Sequence, residues 1–180
     1  MNKLILIFLI PLFVTNKSTK KVIERQGKVS FFSYTAVEHI KAENNQVLSI
    51  IDLENGKIAV SMLMNAFIFE KELMREHFNE SYVESDIYPK ATFEGKINDF
   101  DAGADIQTKV INGTFTMHGA SKNIDIKVKI EKQENNKYIV SGKFEAQVND
   151  YNIKIPPLLR GNIAKTILVD FNFEYNSYDK

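Results

Sequence analysis

The sequence predicts an all-β chain, a closed antiparallel barrel of eight strands with a short helix inserted midway. Three observations point there. Apolar and charged residues alternate with a period of two, most clearly where Ile124, Ile126, Val128 and Ile130 are interleaved with Asp125, Lys127 and Lys129, the pattern of a half-buried antiparallel strand. Tight-turn signals recur between such runs, as at Asn55-Gly56 and His118-Gly119. A single stretch, Phe69 to Asn79, changes to a helical period.

In chain order, Lys28 to Thr35 reads as an aromatic-rich strand, and Glu38 to Asn44 as a more polar extended segment. Gln46 to Leu53 and Lys57 to Asn65 flank Glu54-Asn55-Gly56 as a hairpin, with Ile58, Val60, Met62 and Met64 on one face. Phe69, Leu73 and His77, together with Met74 and Phe78, form one broad face of the predicted helix, and a second helical turn is expected within Asn79 to Asp86. Pro89 blocks its continuation, and a strand follows from Ala91 to Asp99. Ile106 to Ile130 is a long hairpin turning at His118 to Ser121, with Ile111, Phe115 and Met117 in one phase of its first strand. Tyr138 to Val148 is the next strand. Pro156-Pro157 interrupts regular structure in Asp150 to Lys165, and Thr166 to Tyr175 is the last strand. Strands at this spacing build a sandwich or a barrel. Long strands with one strictly apolar face favour closure, which removes exposed edges.

The chain has 180 residues, 44% of them apolar, which suits one domain with a substantial core. Basic and acidic residues both total 23. A balanced chain without a basic block argues against a nucleic-acid partner, whose phosphates demand clustered Lys and Arg. There is no Cys, so disulfides, thiol catalysis and cysteine-bound metals are excluded. The load of 13 Phe and 7 Tyr leans towards β structure.

The N-terminus reads as a separate export signal over residues 1–18, leaving 19–180 as the barrel domain. A short positive start precedes the apolar run Leu4 to Val14, and polar residues follow. The run is shorter than the roughly 20 residues that span a bilayer and fits the apolar region of a secretory signal peptide, with cleavage expected within Thr15 to Thr19. An uncleaved membrane anchor is the competing reading. Export places the mature protein in a periplasm or outside the cell.

Two segments resemble the YceI-like family. Tyr88-Pro89-Lys90-Ala91-Thr92-Phe93 is similar to its YP-x-[AI]-T-F segment. Gly113 to Lys122, GTFTMHGASK, is similar to its hairpin G-x-L-T-[IM]-H-G-[VA]-[TS]-[KR]. Arg75-Glu76-His77-Phe78 lies where that family has its helix, and Ile153 to Lys165 where it has a loop before the last strand. The likeness spans roughly residues 20–175. It implies a lipocalin-like eight-stranded barrel with a helix over one end, a periplasmic or secreted location, and, as in some members, a polyisoprenoid lipid or quinone held inside.

The candidate ligand-binding residues follow from the apolar face. Met62, Met64, Phe93, Phe115, Met117, Val128, Phe144 and Phe171 either line an elongated cavity or fill the barrel, and the two designs share one pattern. Methionine is flexible and polarizable and suits a pocket that moulds to a long chain. The resemblance tips the reading towards a cavity. Phe69, Leu73, Phe78, Ile155 and Leu158 are apolar groups on non-strand elements that would cap its mouth. Lys154, Arg160 and Lys165 are basic groups beside them, either solvated or facing a phosphate head. His39, His77 and His118 lack metal-ligand spacing, and His118 reads as a turn residue bonded to backbone. No nucleophile turn, catalytic triad order or phosphate loop is present in the sequence. The expectation is therefore a non-enzymatic, cofactor-free carrier of a long-chain isoprenoid lipid or quinone that meets a membrane surface. The alternative is a structural or partner-binding envelope domain with a filled barrel.

Overall fold

The computed structural model describes residues 21–178. The expected export signal, residues 1–18, lies outside them. The strands are β1 (Lys21–Tyr34), β2 (His39–Asp52), β3 (Lys57–Leu63), β4 (Ile68–Phe69), β5 (Lys90–Ile97), β6 (Ile106–Met117), β7 (Ala120–Gln133), β8 (Lys137–Gln147) and β9 (Thr166–Ser177), with one α-helix, α1 (Glu72–His77), between β4 and β5.

Eight of these strands close into an antiparallel barrel. Neighbours run β1-β9-β8-β7-β6-β5-β3-β2, and β2 pairs back onto β1 from Lys21↔Asp52 to Tyr34↔His39. Closure leaves no free edge among the long strands, which is why ten-residue apolar faces are tolerated here. The two-residue β4 is the exception, pairing with β2 through Ala42↔Phe69 and Glu43↔Ile68.

The two segments read as separate, Glu38 to Asn44 and Gln46 to Leu53, are one strand, β2. Its alternation is interrupted near Asn44, which is fully buried. Asn44 replaces the missing ladder bonds with its own amide, accepting from the Gln46 N–H at 2.8 Å and donating to the Leu63 carbonyl at 2.8 Å. Opposite it, β1 shifts register between Glu24 and Val29. The helix is also shorter than its period predicts. It begins at Glu72 because Lys71 is extended, and Phe69 belongs to β4. A π turn, Phe78–Tyr82, supplies the second helical piece.

The β6–β7 hairpin turns on two residues. Met117 pairs with Ala120, and His118 and Gly119 both have positive φ, 49° and 71°. Positive φ at both central residues is the I′ geometry that matches strand twist.

The barrel has two unlike ends. The Leu53 to Gly56 turn, the 98–105 connection and the β7–β8 turn close one. There Tyr175 is buried and meets Ser49 Oγ at 2.5 Å, while Ser49 Oγ lies 3.2 Å from the Ala59 carbonyl. Burial pushes the Tyr175 hydroxyl well above its ordinary pKa, so it is neutral there. Phenyl rings fill this half because inward glycines accept them. A Cβ at Gly113 would stand 2.4 Å from the Phe93 ring, and one at Gly142 would stand 2.7 Å from the Phe171 ring. The other end carries the Thr35 to Glu38 turn, the crossing from Met64 to Pro89 with α1, and the 148–165 loop.

Candidate functional site

Side-chain size changes along the inward faces of β5 and β8. In β5 Ala91 precedes Phe93, and in β8 Ala146 follows Phe144. Towards the helix end the walls are therefore built from Ala91, Ala146 and Ser33, with Met62, Met64 and Met117 at their sides, and they enclose a cavity of about 440 Å³. That lies within the roughly 300–1,000 Å³ of small-molecule sites. A second apolar void of about 40 Å³ sits in the closed half. Val29, Met62, Phe115 and Val169 border both spaces and form the floor between them.

The roof is the 64–89 crossing. It is held by a cluster of four rings: Phe31 of β1 lies 5.3 Å from Phe67, 5.8 Å from Phe69 and 5.4 Å from Phe78 between ring centres, and Phe69 and Phe78 are 5.1 Å apart. Aromatic pairs at such distances contribute roughly 0.5–1.5 kcal/mol beyond their burial. Leu73, Met74, His77, Tyr82 and Val83 complete the roof, and Ile153, Ile155, Leu159 and Ile163 bring the long loop against it. The loop is tied to β1 where the Ala164 N–H donates to Ser33 Oγ at 2.9 Å.

The polar part of the lining is small. Across the mouth, Lys71 Nζ lies 3.2 Å from Glu38 Oε1, joining the N-terminal flank of α1 to the β1–β2 turn. Such an exposed pair is worth about 0–1 kcal/mol, so it aligns the roof more than it locks it. Burial raises the pKa of the Tyr82 and Tyr151 hydroxyls, so both remain neutral hydrogen-bonding groups at the cavity wall. Among the described residues there is no cluster of three or more His, Asp or Glu able to hold a metal ion.

Of the residues named from the sequence, Met62, Met64, Phe69, Leu73, Phe78, Phe115, Met117 and Ile155 line the large cavity. Phe93, Phe144 and Phe171 surround the small void below the floor. Val128 is buried in the closed half and borders neither space. Leu158 is 91% exposed and turned away, because the turn Pro157–Leu159 presents Leu159 to the cavity instead. Lys154, Arg160 and Lys165 are exposed and outside the lining. Sequence reasoning missed Phe31, Phe67, Ala91, Ala146, Val148 and Tyr151. The small–large step along β5 and β8 is the signal that marks the two alanines.

The three histidines stand apart in role. His39 packs edge-on against Tyr34, and His77 lines the mouth. His118 is buried. Its Nδ1–H donates to the Tyr151 carbonyl at 2.9 Å, the bond to backbone expected of this turn residue, and beyond that expectation its Nε2 lies 2.7 Å from Glu84 Oε2.

A family profile described as the YceI-like domain matches residues 20–175. The chain belongs to the YceI-like family. Among solved structures, this YceI-like chain is similar to a polyisoprenoid-binding domain from Saccharophagus degradans implicated in plant cell wall breakdown, with a TM-score of 0.71, 14% identity, and 89% of this chain and 100% of that one covered. It is also similar to BcnA of Burkholderia cenocepacia, at a TM-score of 0.70, 15% identity and coverage of 83% and 96%. The YCEI protein of Campylobacter jejuni follows at 0.60, 16%, 82% and 90%. At these identities the likeness is one of fold. No curated protein matches the chain.

The YceI-like signature segments meet in space. Phe93 pairs with Phe115 and Thr92 with Thr116 across β5 and β6. The Tyr88 ring lies 4.5 Å from the His118 ring and covers Gly119, where a Cβ would stand 2.9 Å from Tyr88 Cε1. The Pro89 carbonyl accepts from the Met64 N–H at 2.9 Å. The signature thus fastens the roof crossing to the barrel rim.

Proposed function

We propose that this YceI-like protein is an exported carrier that holds a single amphiphile, an isoprenoid lipid or quinone, by its apolar tail in the helix end of the barrel. The observation that supports this reading most is the hollow, apolar upper half under a roof that weak contacts align. The polyisoprenoid-binding description of one similar structure agrees with it. Binding is transfer of a tail out of water, with no bond made or broken. At about 25 cal/mol per Å², burying a few hundred Å² supplies on the order of 10 kcal/mol before ordering costs. The head stays at the mouth among Glu38, Lys71 and His77. Leu73 and Leu158, exposed on the two elements that frame the opening, serve contact with a lipid surface. No helix among the described residues is long and apolar enough to cross a membrane.

Native mass spectrometry of protein purified from its own cell envelope, with lipid extraction, tests the proposal. The expected result is a non-covalent adduct that extraction releases as a single-chain amphiphile. Protein that is always ligand-free, and that takes up no isoprenoid or quinone when offered one, would sink it.

A further inference from the structure

We infer that the Tyr151 hydroxyl recognises an oxygen atom on the buried part of the ligand, so that the cavity favours a chain bearing a carbonyl, ether or hydroxyl over a plain hydrocarbon tail. The inference rests on the carrier reading above and adds a polar subsite to it. Tyr138, Tyr151 and Tyr175 are all almost fully buried. Two of them satisfy their hydroxyls within the protein: Tyr138 donates to the Ala102 carbonyl at 2.9 Å, and Tyr175 pairs with Ser49 Oγ. Tyr151 is 2% exposed, and its hydroxyl has no hydrogen-bond partner among the described residues. It borders the large cavity and not the small void below the floor. Buried polar groups are as a rule hydrogen-bonded, and one left unpaired is costly. A phenylalanine would pack beside Phe115 without that cost, as Phe144 does.

The hydroxyl is also held in place. The Tyr151 ring stands edge-on to Phe115, with 5.4 Å between centres, and the Tyr151 carbonyl accepts from His118 Nδ1–H at 2.9 Å. The turn that carries it, Val148–Tyr151, is tied to the end of the long loop where the Val148 N–H donates to the Lys165 carbonyl at 2.9 Å. Burial, helped by the Asp150 carboxylate, raises its pKa and keeps it protonated. It therefore offers one donor and its accepting lone pairs. The lining contributed by its own segment, Ala146, Val148 and Ile153, is apolar. An oxygen that enters along this wall finds its partner in Tyr151.

The experiment is displacement of a fluorescent apolar probe by saturated carboxylic acids of graded chain length and by their ω-hydroxylated counterparts, with geranylgeraniol as a prenyl reference. Adding a hydroxyl to a tail normally weakens its burial in an apolar site. In the wild type that penalty is expected to shrink or reverse at the chain length that brings the oxygen to Tyr151. Tyr151→Phe keeps the ring and is expected to lower the ratio of hydroxylated to plain affinity about fivefold or more at that length. The plain acids should bind the variant at least as well as the wild type, which a merely structural role for the hydroxyl would not allow. A penalty equal at every length in the wild type, or a ratio that Tyr151→Phe leaves unchanged, overturns the subsite. Geranylgeraniol binding then leaves the carrier reading standing. Failure of every chain, geranylgeraniol included, to displace the probe overturns both.

Discussion

His118 Nε2 stands 2.7 Å from Glu84 Oε2, and the opposite nitrogen of the same ring stands 2.9 Å from the Tyr151 carbonyl. One buried imidazole therefore joins three segments: the β6–β7 turn, the end of the roof crossing, and the start of the long loop. Nδ1–H donates to the carbonyl, and Nε2 faces the carboxylate. Glu84 adopts a left-handed conformation to reach it, with φ of 45°. Backbone strain of that kind persists where surrounding contacts over-determine it.

His118→Ala is expected to destabilise the protein by about 2–3 kcal/mol, because it leaves a buried carbonyl without its donor and removes the ring beneath Tyr88. Glu84→Gln retains a hydrogen-bonding group and is expected to cost about 1 kcal/mol or less. Urea unfolding checks both through a lower midpoint at unchanged slope. Equal midpoints for wild type and His118→Ala would show that the link is incidental.

Gly119 is constrained twice, by a φ of 71° and by the Tyr88 ring where its Cβ would be. Gly119→Ala is expected to cost about 1–2 kcal/mol, more than a substitution at a turn of compatible geometry. Part of that cost is the clash with Tyr88. In a Tyr88→Ala background the same change should be cheaper, and a double-mutant cycle measures the difference. Strict additivity would place the whole cost in the backbone.

Burial raises the Tyr175 pKa above the ordinary value near 10. The protonated form is favoured by folding, so this contribution is fully present below about pH 10. It is lost as pH climbs from there towards the folded-state value, while the unfolded chain ionises first. Unfolding midpoints are expected to fall above pH 10, and Tyr175→Phe should flatten that fall. At neutral pH the variant is expected to lose about 1 kcal/mol, because the Ser49 hydroxyl loses its tyrosine partner and keeps the Ala59 carbonyl. A pH profile identical in the two proteins would exclude Tyr175 as the alkaline trigger.

The barrel was legible because its strands alternate cleanly, and Ile124 to Ile130 needed nothing else. Alternation failed at Asn44 and between Glu24 and Val29, where irregular pairing puts consecutive residues on unexpected faces. It also misled at Phe69, whose spacing of four to Leu73 joins a strand residue to a helix residue and imitates one helical face. Parity says which side chains point inward and is silent on how far along the barrel they lie. Met62 and Phe93 share the inward face, yet one borders the large cavity and the other only the small void. The size step from Ala91 to Phe93 and from Ala146 to Phe144 holds that information. It becomes readable once the register aligns the strands. Leu158 and Leu159 show the complementary limit: in a loop, neighbouring apolar residues take opposite fates with no period to separate them.

Leu158 is 91% exposed beside the cavity opening and contributes nothing to its lining. A large apolar side chain in that position has no role in holding a tail but is well placed to enter the surface of a bilayer, where each buried methylene is worth about 0.8 kcal/mol. Leu158→Glu should therefore slow transfer of a fluorescent prenyl lipid from vesicles to the protein by several-fold, because a carboxylate resists leaving water. The affinity measured at equilibrium with the same lipid should not change, since the cavity wall is intact. Stopped-flow transfer against equilibrium titration separates the two. Loss of affinity would move Leu158 into the site, and an unchanged transfer rate would mean that uptake proceeds through water without contact between mouth and membrane.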